Sequence, residues 1–148
     1  MSKAVVRDLE WFVGHVERSD GVYLFRDVEW GPHQADVISF SDACMSGLGF
    51  FFENSLEGFQ CHIPGSPPKD TIFFFEALAV TLVVDAVTRL PAIPERLLIY
   101  SDNSNTVDIF HSLRSLPPYN DLLKFMVSLL IKFNSHSGLC TFLEWTMV

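Results

Sequence analysis

The sequence has few cysteines, few basic residues and no long uncharged apolar segment, and each shortage excludes a class of protein. It contains 3 cysteines in 148 residues. An odd number at scattered positions argues against a disulfide framework or a zinc site and indicates reduced thiols in an intracellular protein. No apolar segment of a signal peptide follows Met1. The longest apolar stretch, 72–87, contains Glu76 and Asp85 and is too short to span a bilayer, so we expect no membrane partner.

Basic residues are outnumbered by acidic ones. There are 10 Lys and Arg against 18 Asp and Glu, which gives a net charge of −8 at pH 7. Proteins that bind nucleic acids use Lys and Arg to neutralise phosphates, so such a function here requires a local site, a bound metal or a neighbouring domain. Hydrophobic residues make up 49% of the chain. This composition excludes a disordered chain and allows a sizeable core in a chain of single-domain length.

The apolar pattern predicts strands early in the chain and alternating helices and strands later. An amphipathic helix is predicted over about 2–16, with Val5, Leu9, Phe12, Val13 and Val16 on one apolar face. The predicted strands are 22–25, 36–42, 48–53, 56–62, 96–101 and 139–145. The later helices are predicted from a cap at Asp70 or Thr71 to about Arg89, then over 105–113 and 119–133. This order indicates a mixed sheet with helices packed on it.

Three acidic residues occupy positions that point to a common site. Asp42 ends the first strand of the predicted meander, and Asp102 follows the buried strand 96–101. Ligands in α/β sheets gather at the carboxyl ends of strands, so these two carboxylates meet if their strands are parallel neighbours. Glu76 lies in the second turn of the apolar helix, where an ionised carboxylate must be paired or bound to a metal. Asp85 falls on another face of that helix and can pair with Arg89, a structural role.

Three carboxylates in one place suit Mg²⁺ or Mn²⁺, which prefer oxygen ligands. Two such ions can activate a water and stabilise the leaving oxygen of a phosphodiester. Spacing alone leaves the alternative open that the acids at strand ends are solvated loop residues. Cys44 is either a reactive thiol beside the site or a small packed residue. The histidines at 62, 111 and 136 share no ligand-like spacing and are assigned to the surface.

Three segments around these acids resemble ribonuclease H domains of retroelement polyproteins. Ser41–Phe50 (SDACMSGLGF) resembles the first catalytic strand and turn, and Phe73–Val80 (FFFEALAV) resembles the helix with the catalytic glutamate. Tyr100–Val107 (YSDNSNTV) is similar to the third catalytic segment. The stretch 108–120 is similar to the version in fungal retrotransposons, and 7–11 (RDLEW) resembles their connector between reverse transcriptase and ribonuclease H. The resemblance extends to about Leu139.

The resemblance implies both a fold and an activity. The fold is α/β, a five-stranded mixed sheet of three antiparallel and then two parallel strands, flanked by helices. The activity is metal-dependent cleavage of the RNA strand of RNA–DNA hybrids, with Asp42, Glu76 and Asp102 as catalytic metal ligands. It also implies a division into an N-terminal helix and connector at 1–33 and a ribonuclease H-like domain at 34–148.

The sequence departs from this pattern after the last predicted strand. The family continues there with a loop and a final helix that supplies a fourth carboxylate ligand, whereas here only 139–148 remain. We therefore expect the final helix to be missing and the activity to be weak or lost. The alternative is a non-catalytic protein-interaction module or an orphan retroelement fragment. An uncovered apolar face and a bare last strand also predict a homodimer through the C-terminal region.

Overall fold

The computed structural model describes residues 2–18, 30–63, 72–116, 119–134 and 139–144. Their elements, in chain order, are helix α1 (Lys3–Arg18), a short 3-10 helix (Pro32–Gln34), strands β1 (Val37–Ala43), β2 (Gly47–Phe52) and β3 (Gly58–His62), helix α2 (Ile72–Thr88), strand β4 (Arg96–Ser101), helices α3 (Ser104–Ser112) and α4 (Asn120–Asn134), and strand β5 (Leu139–Glu144). The predicted strand at 22–25 and the predicted caps Asp70 and Thr71 lie outside these residues. None of the helices in the described ranges has the length and apolar character needed to cross a membrane.

The strands form one mixed sheet in the order β3-β2-β1-β4-β5. Strands β1, β2 and β3 are an antiparallel meander, β4 is parallel to β1, and β5 is parallel to β4. Short turns join the antiparallel strands, whereas helices fill the longer connections that parallel pairing requires. The predicted mixed α/β architecture, with a meander followed by parallel strands, is therefore confirmed.

Helix α2 packs against one face of the sheet, the inner face, where it contacts β1, β2 and β4. It also contacts α3 and α4, which explains why its sequence is apolar on nearly all sides. The strands contribute alternate residues to this face, as the two-residue period of a strand requires. The resulting core contains buried side chains from the sheet and three helices, among them Phe50, Val80, Val84, Leu97, Ile99, Phe110, Met126 and Phe133.

The opposite face of the sheet, the outer face, carries a row of aromatic rings. Phe40 pairs in register with Phe51 on β2 and with Tyr100 on β4. The ring centroid of Phe40 lies 5.1 Å from that of Phe51 and 5.0 Å from that of Tyr100, and both pairs of rings are stacked. The next residue of β1 on this face is Asp42, so the aromatic row lies two residues before Asp42 along the strand.

The apolar face of helix α1 is exposed, whereas the apolar face of an amphipathic helix usually packs against the core. It contains no buried residue, and the predicted apolar face is 45–58% exposed. Its attachment to α4 is polar: Asp8 forms an ion pair with Lys124, whose ammonium lies 6.0 Å from the centroid of Trp11. Periodicity predicted the helix and its apolar side but carries no information on what covers that side.

Strand β3 is shorter at its start than predicted, beginning at Gly58 and not at residue 56. Leu56 has a positive φ of 56°, and its N–H donates to the carbonyl oxygen of Phe52. A left-handed residue bonded back to the previous strand belongs to the turn, so the extended backbone starts later.

Candidate metal centre

The three acidic residues singled out from the sequence converge in the structure. Asp42 is the next-to-last residue of β1, and Asp102 directly follows β4. The last register pair of these parallel strands is Ser41 with Ser101. Glu76 reaches the same place from α2. Each side chain offers a carboxylate oxygen, and these oxygens lie within 4.8 Å of one another. The predicted convergence at two parallel strand ends is confirmed.

Glu76 is the buried member of the group. It is 3% exposed, whereas Asp42 and Asp102 are exposed. Burial raises the pKa of Glu76 from 4.5 to about 7, and the negative charges of Asp102 and then Asp42 add to the effect. A hydrogen bond donated by the backbone N–H of Ala43 to Glu76 Oε1, at 3.3 Å, acts in the opposite direction. Without a cation this carboxyl is therefore protonated over much of the range below neutral pH.

The second carboxylate oxygen of Glu76 tests whether the group fits a metal ion. Glu76 Oε2 is buried and has no hydrogen-bond partner among the described residues. Buried polar atoms are nearly always satisfied, and an exception calls for a missing partner. Oxygen ligands from three carboxylates match the preferences of Mg²⁺ and Mn²⁺. The donor set and the unpaired oxygen together fit a divalent cation held by Asp42, Glu76 and Asp102.

Polar residues next to the acids fix the two strand ends. The Ser41 hydroxyl donates to the carbonyl oxygen of Tyr100 at 3.3 Å, which ties β1 to β4 just below the carboxylates. Asn103 caps α3: its Oδ1 accepts from the N–H of Thr106 at 3.1 Å, and its own N–H donates to the Ser101 hydroxyl at 3.3 Å. The chain therefore turns sharply after β4, which leaves Asp102 at the sheet end and starts α3 beside it.

The remaining candidates from the sequence lie outside the cluster. Asp85 on α2 forms an ion pair at 2.8 Å with Arg89, the residue that follows the helix, as predicted. His62 and His111 are exposed, and residue 136 lies outside the described residues. Cys44 is also exposed, so the expectation that it is a small packed residue is wrong. Hydrogen bonds from the Ser46 side chain, and then from backbone N–H groups of Ser46 and Gly47, lower the pKa of the Cys44 thiol.

Sequence reasoning missed a groove on the outer face that adjoins the cluster. Asp42 pairs with Gly49 on β2, and Gly49 pairs with Gln60 on β3. One step further, Gly47 pairs with His62. Since glycine has no side chain, an open channel of about 490 Å³ runs over β2 between Asp42 on one side and Gln60 and His62 on the other. The alternating Gly47 and Gly49 were the only signal in the sequence, and the predicted strand 48–53 gave no reason to connect them with the acidic residues.

Comparison with solved structures finds the same fold in ribonuclease H domains. The N-terminal ribonuclease H domain of Rv2228c from Mycobacterium tuberculosis matches with a TM-score of 0.57 and 15% identity, over 76% of this chain and 87% of that chain. The ribonuclease H1 of the archaeon Halobacterium salinarum matches with a TM-score of 0.54 and 10% identity, over 74% and 84%.

A viral structure also matches. The foamy viral protease–reverse transcriptase in complex with an RNA/DNA hybrid gives a TM-score of 0.57 and 10% identity over 86% of this chain. The match spans about a fifth of that viral chain, 20%. No protein-family model and no curated protein sequence matches the chain. The structural likeness nevertheless shows that this chain has a ribonuclease H-like fold.

Proposed function

We propose that this chain is a ribonuclease H-like domain that binds Mg²⁺ or Mn²⁺ at Asp42, Glu76 and Asp102 and acts on the RNA strand of RNA–DNA hybrids. The observation that carries the proposal is the approach of three carboxylates within 4.8 Å at the ends of two parallel strands. Unpaired carboxylates so close repel one another, and a divalent cation removes that repulsion. The proposal is further supported by the resemblance of all three acidic segments to catalytic segments of retroelement ribonuclease H domains.

Each residue has a distinct part in this proposal. Asp42 and Asp102 are exposed and offer oxygens toward solvent, where a phosphodiester can approach. Glu76 is buried and held by the Ala43 N–H, so it fixes the inner side of the site. When bound, divalent ions supply charge neutralisation and an activated water for phosphodiester hydrolysis. The protein's contribution is to hold the three oxygens in place on two strand ends and one packed helix.

Two measurements test the proposal. Calorimetric titration with Mn²⁺ should detect binding by the wild-type chain, and Asp42→Asn should abolish it. Asp85→Asn is the matched control, since Asp85 is an acidic residue on α2 that pairs with Arg89 and takes no part in the cluster. A labelled RNA–DNA hybrid then reports cleavage with the same three proteins. Absence of Mn²⁺ binding by the wild-type chain at millimolar concentration contradicts the proposal.

A non-catalytic interaction module is the second candidate function. The observation that favours it is the exposed apolar side of α1, on which Leu9, Phe12 and Val13 are 50–58% exposed. Monomeric proteins rarely leave large contiguous apolar patches uncovered. The net charge of −8 also opposes nucleic-acid binding. Under this alternative the carboxylates bind no metal and the hybrid is not bound, so the experiments above distinguish the two candidates.

We also propose an origin in a retroelement polyprotein. It is supported by the resemblance of 7–11 to a reverse transcriptase connector and of 108–120 to fungal retrotransposon sequences. Sequencing of the genomic DNA on the 5′ side of the coding region tests this origin. A reverse transcriptase reading frame in phase with Met1 is the expected result, and an unrelated host exon contradicts it.

A further inference from the structure

The groove beside the carboxylates is built differently from the metal centre. Of the residues that line it within the described part of the chain, Asp42 is the only carboxylate. Its far wall carries Gln60 and His62, both exposed. Its lower end is the aromatic row, where Phe51 is 45% exposed. The groove therefore combines a metal-binding wall, an uncharged polar wall and an apolar end.

Distances within the sheet set the dimensions of this groove. Neighbouring strands lie about 4.8 Å apart, so Gln60 stands roughly 10 Å from Asp42 across the glycine of β2. Asp42 and Phe40 are two residues apart along β1, which corresponds to about 7 Å. Because Asp42 forms part of both sites, a ligand bound at the carboxylates can extend directly into this channel.

The side chains of the far wall suit a sugar–phosphate backbone. The glutamine amide both donates and accepts hydrogen bonds, and the imidazole of histidine can do either. Such groups can contact phosphate oxygens and ribose hydroxyls without a basic cluster. This matters in a chain with net charge −8, where few cations are available to neutralise phosphates. The exposed ring of Phe51 offers an apolar surface to the carbon atoms of a ribose.

We propose that this groove holds the sugar–phosphate backbone of the RNA strand next to the phosphodiester at the carboxylates, and that Gln60 and His62 contact that strand. The inference rests on the proposed function, which puts the RNA strand at Asp42. It adds two residues on β3 that determine substrate binding and that neither the spacing of acids nor the resemblance identifies. A 2′-hydroxyl next to Gln60 gives the site a means to distinguish RNA from DNA.

The glycines themselves are unsuitable for a test. A Cβ atom added at Gly49 lies 2.8 Å from the carbonyl oxygen of Phe59, and one added at Gly47 lies 2.9 Å from that of Cys61. Both contacts are with backbone atoms, so either substitution disturbs the pairing of β2 with β3. Gln60 and His62 are exposed on a strand surface and can be replaced without filling or emptying the core.

The experiment compares hybrid binding by the full chain with and without these two side chains. Fluorescence anisotropy with a labelled RNA–DNA hybrid in Mn²⁺ is measured for wild type, the double variant Gln60→Ala/His62→Ala and Gln60→Glu. The control is His33→Ala, an exposed histidine that precedes β1 at the other end of the sheet. We expect roughly tenfold weaker binding for the double variant, a further loss for Gln60→Glu through repulsion of phosphate, and no change for His33→Ala.

A second arm identifies the contacted group. Hybrids with a single deoxynucleotide at successive positions of the RNA strand are bound to wild type and to Gln60→Ala. Wild type should bind more weakly when the deoxynucleotide is at one or two adjacent positions. Gln60→Ala should show no further loss of affinity at those positions, because the side chain that contacts the missing 2′-hydroxyl is already absent. Equal sensitivity of both proteins at every position overturns the assignment of Gln60 to the RNA strand.

The outcomes separate this inference from the proposed function. If the wild-type chain binds Mn²⁺ and hybrid and the double variant binds both equally well, the placement of the RNA strand in the groove is wrong and the proposed metal centre is unaffected. A wild-type chain that binds neither overturns both. Unchanged Mn²⁺ affinity and an unchanged urea midpoint in the double variant, with weakened hybrid binding, are the results expected for a direct contact to the strand.

Discussion

Replacement of Glu76 by glutamine separates the charge of this buried side chain from its shape. Glutamine has nearly the same volume and retains an oxygen that can accept the N–H of Ala43, as Glu76 Oε1 does at 3.3 Å. It carries no charge, so the repulsion from Asp102 and Asp42 is removed, and burial costs the amide far less than it costs a carboxylate. The substitution therefore removes the electrostatic cost that raises the pKa of Glu76 and leaves the packing of α2 in place.

The direction of the pKa shift fixes how the free energy of unfolding of the metal-free wild type depends on pH. Below pH 4.5 Glu76 is protonated in both the folded and the unfolded chain. Between 4.5 and about 7 the unfolded chain releases the proton while the folded chain retains it, so stability falls as pH rises. At 1.36 kcal/mol per tenfold change in the proton equilibrium, the full difference is at most about 3 kcal/mol.

Urea unfolding in the presence of a chelator measures this difference. Near pH 4 the Glu76→Gln variant should match the wild type, and at about pH 8 it should be more stable by up to about 3 kcal/mol. For a domain of this size that corresponds to a rise in Tm of roughly 6–12 °C. Glu95→Gln is the control, because Glu95 is exposed at the opposite end of the sheet. This variant should have the same stability as the wild type at both pH values.

Mn²⁺ should reverse the order at the higher pH. Mn²⁺ at a thousand times its Kd stabilises the folded wild type by about 4.1 kcal/mol, which exceeds the variant's advantage of about 3 kcal/mol, and only the wild type has all three carboxylates to bind it. If Glu76→Gln instead destabilises the chain equally at both pH values and Mn²⁺ has no effect on either protein, the reasoning from burial and like charge is refuted.

Three further outcomes follow from the structure. Hybrid cleavage by this chain alone should be slow even with saturating Mn²⁺, because the cluster among the described residues has three carboxylates and the net charge of −8 repels the substrate; rapid turnover that disappears in Asp42→Asn contradicts this. Asn103→Ala should lower the free energy of unfolding by about 1 kcal/mol through loss of the α3 cap, whereas Asn103→Asp should retain most of it, as urea midpoints would reveal. Sedimentation at micromolar concentration should detect a homodimer through the C-terminal edge strand β5, and a monomer that is unaffected by polar substitutions in 141–148 removes that expectation.

The elements of the fold were predictable because their signals are local. The all-apolar helix α2 and the buried strand β4 begin and end within two residues of their predicted positions, except for the start of α2, whose predicted cap lies outside the described residues. The turn at Leu56 was missed because a leucine with positive φ gives no warning in its sequence. The apolar side of α1 was predicted correctly, but its exposure was not, because periodicity does not name a partner.

The metal centre was predictable for a different reason. Its members lie at the ends of strands and on a buried helix, and both features can be recognised one element at a time. Glu76 stood out because an ionisable residue amid Phe73, Phe74 and Phe75 needs a partner. Convergence then required only that β1 and β4 be parallel neighbours, which the order of meander and crossover favours.

The groove could not be predicted in this way, because it depends on the register of three strands at once. Gln60 faces the outer side only because it pairs with Gly49, which in turn pairs with Asp42. A slip of one residue between β2 and β3 would turn Gln60 and His62 to the inner face and bring Cys61 outward. Register is set by which side chains the helices bury, and here Leu48 and Phe50 at 5% and 9% exposure anchor β2 with its glycines outward. The open channel beside the carboxylates is thus a consequence of core packing on the other side of the sheet. Substitutions at Leu48 should therefore weaken hybrid binding, although Leu48 lies on the inner face and does not contact the RNA strand that we place in the groove.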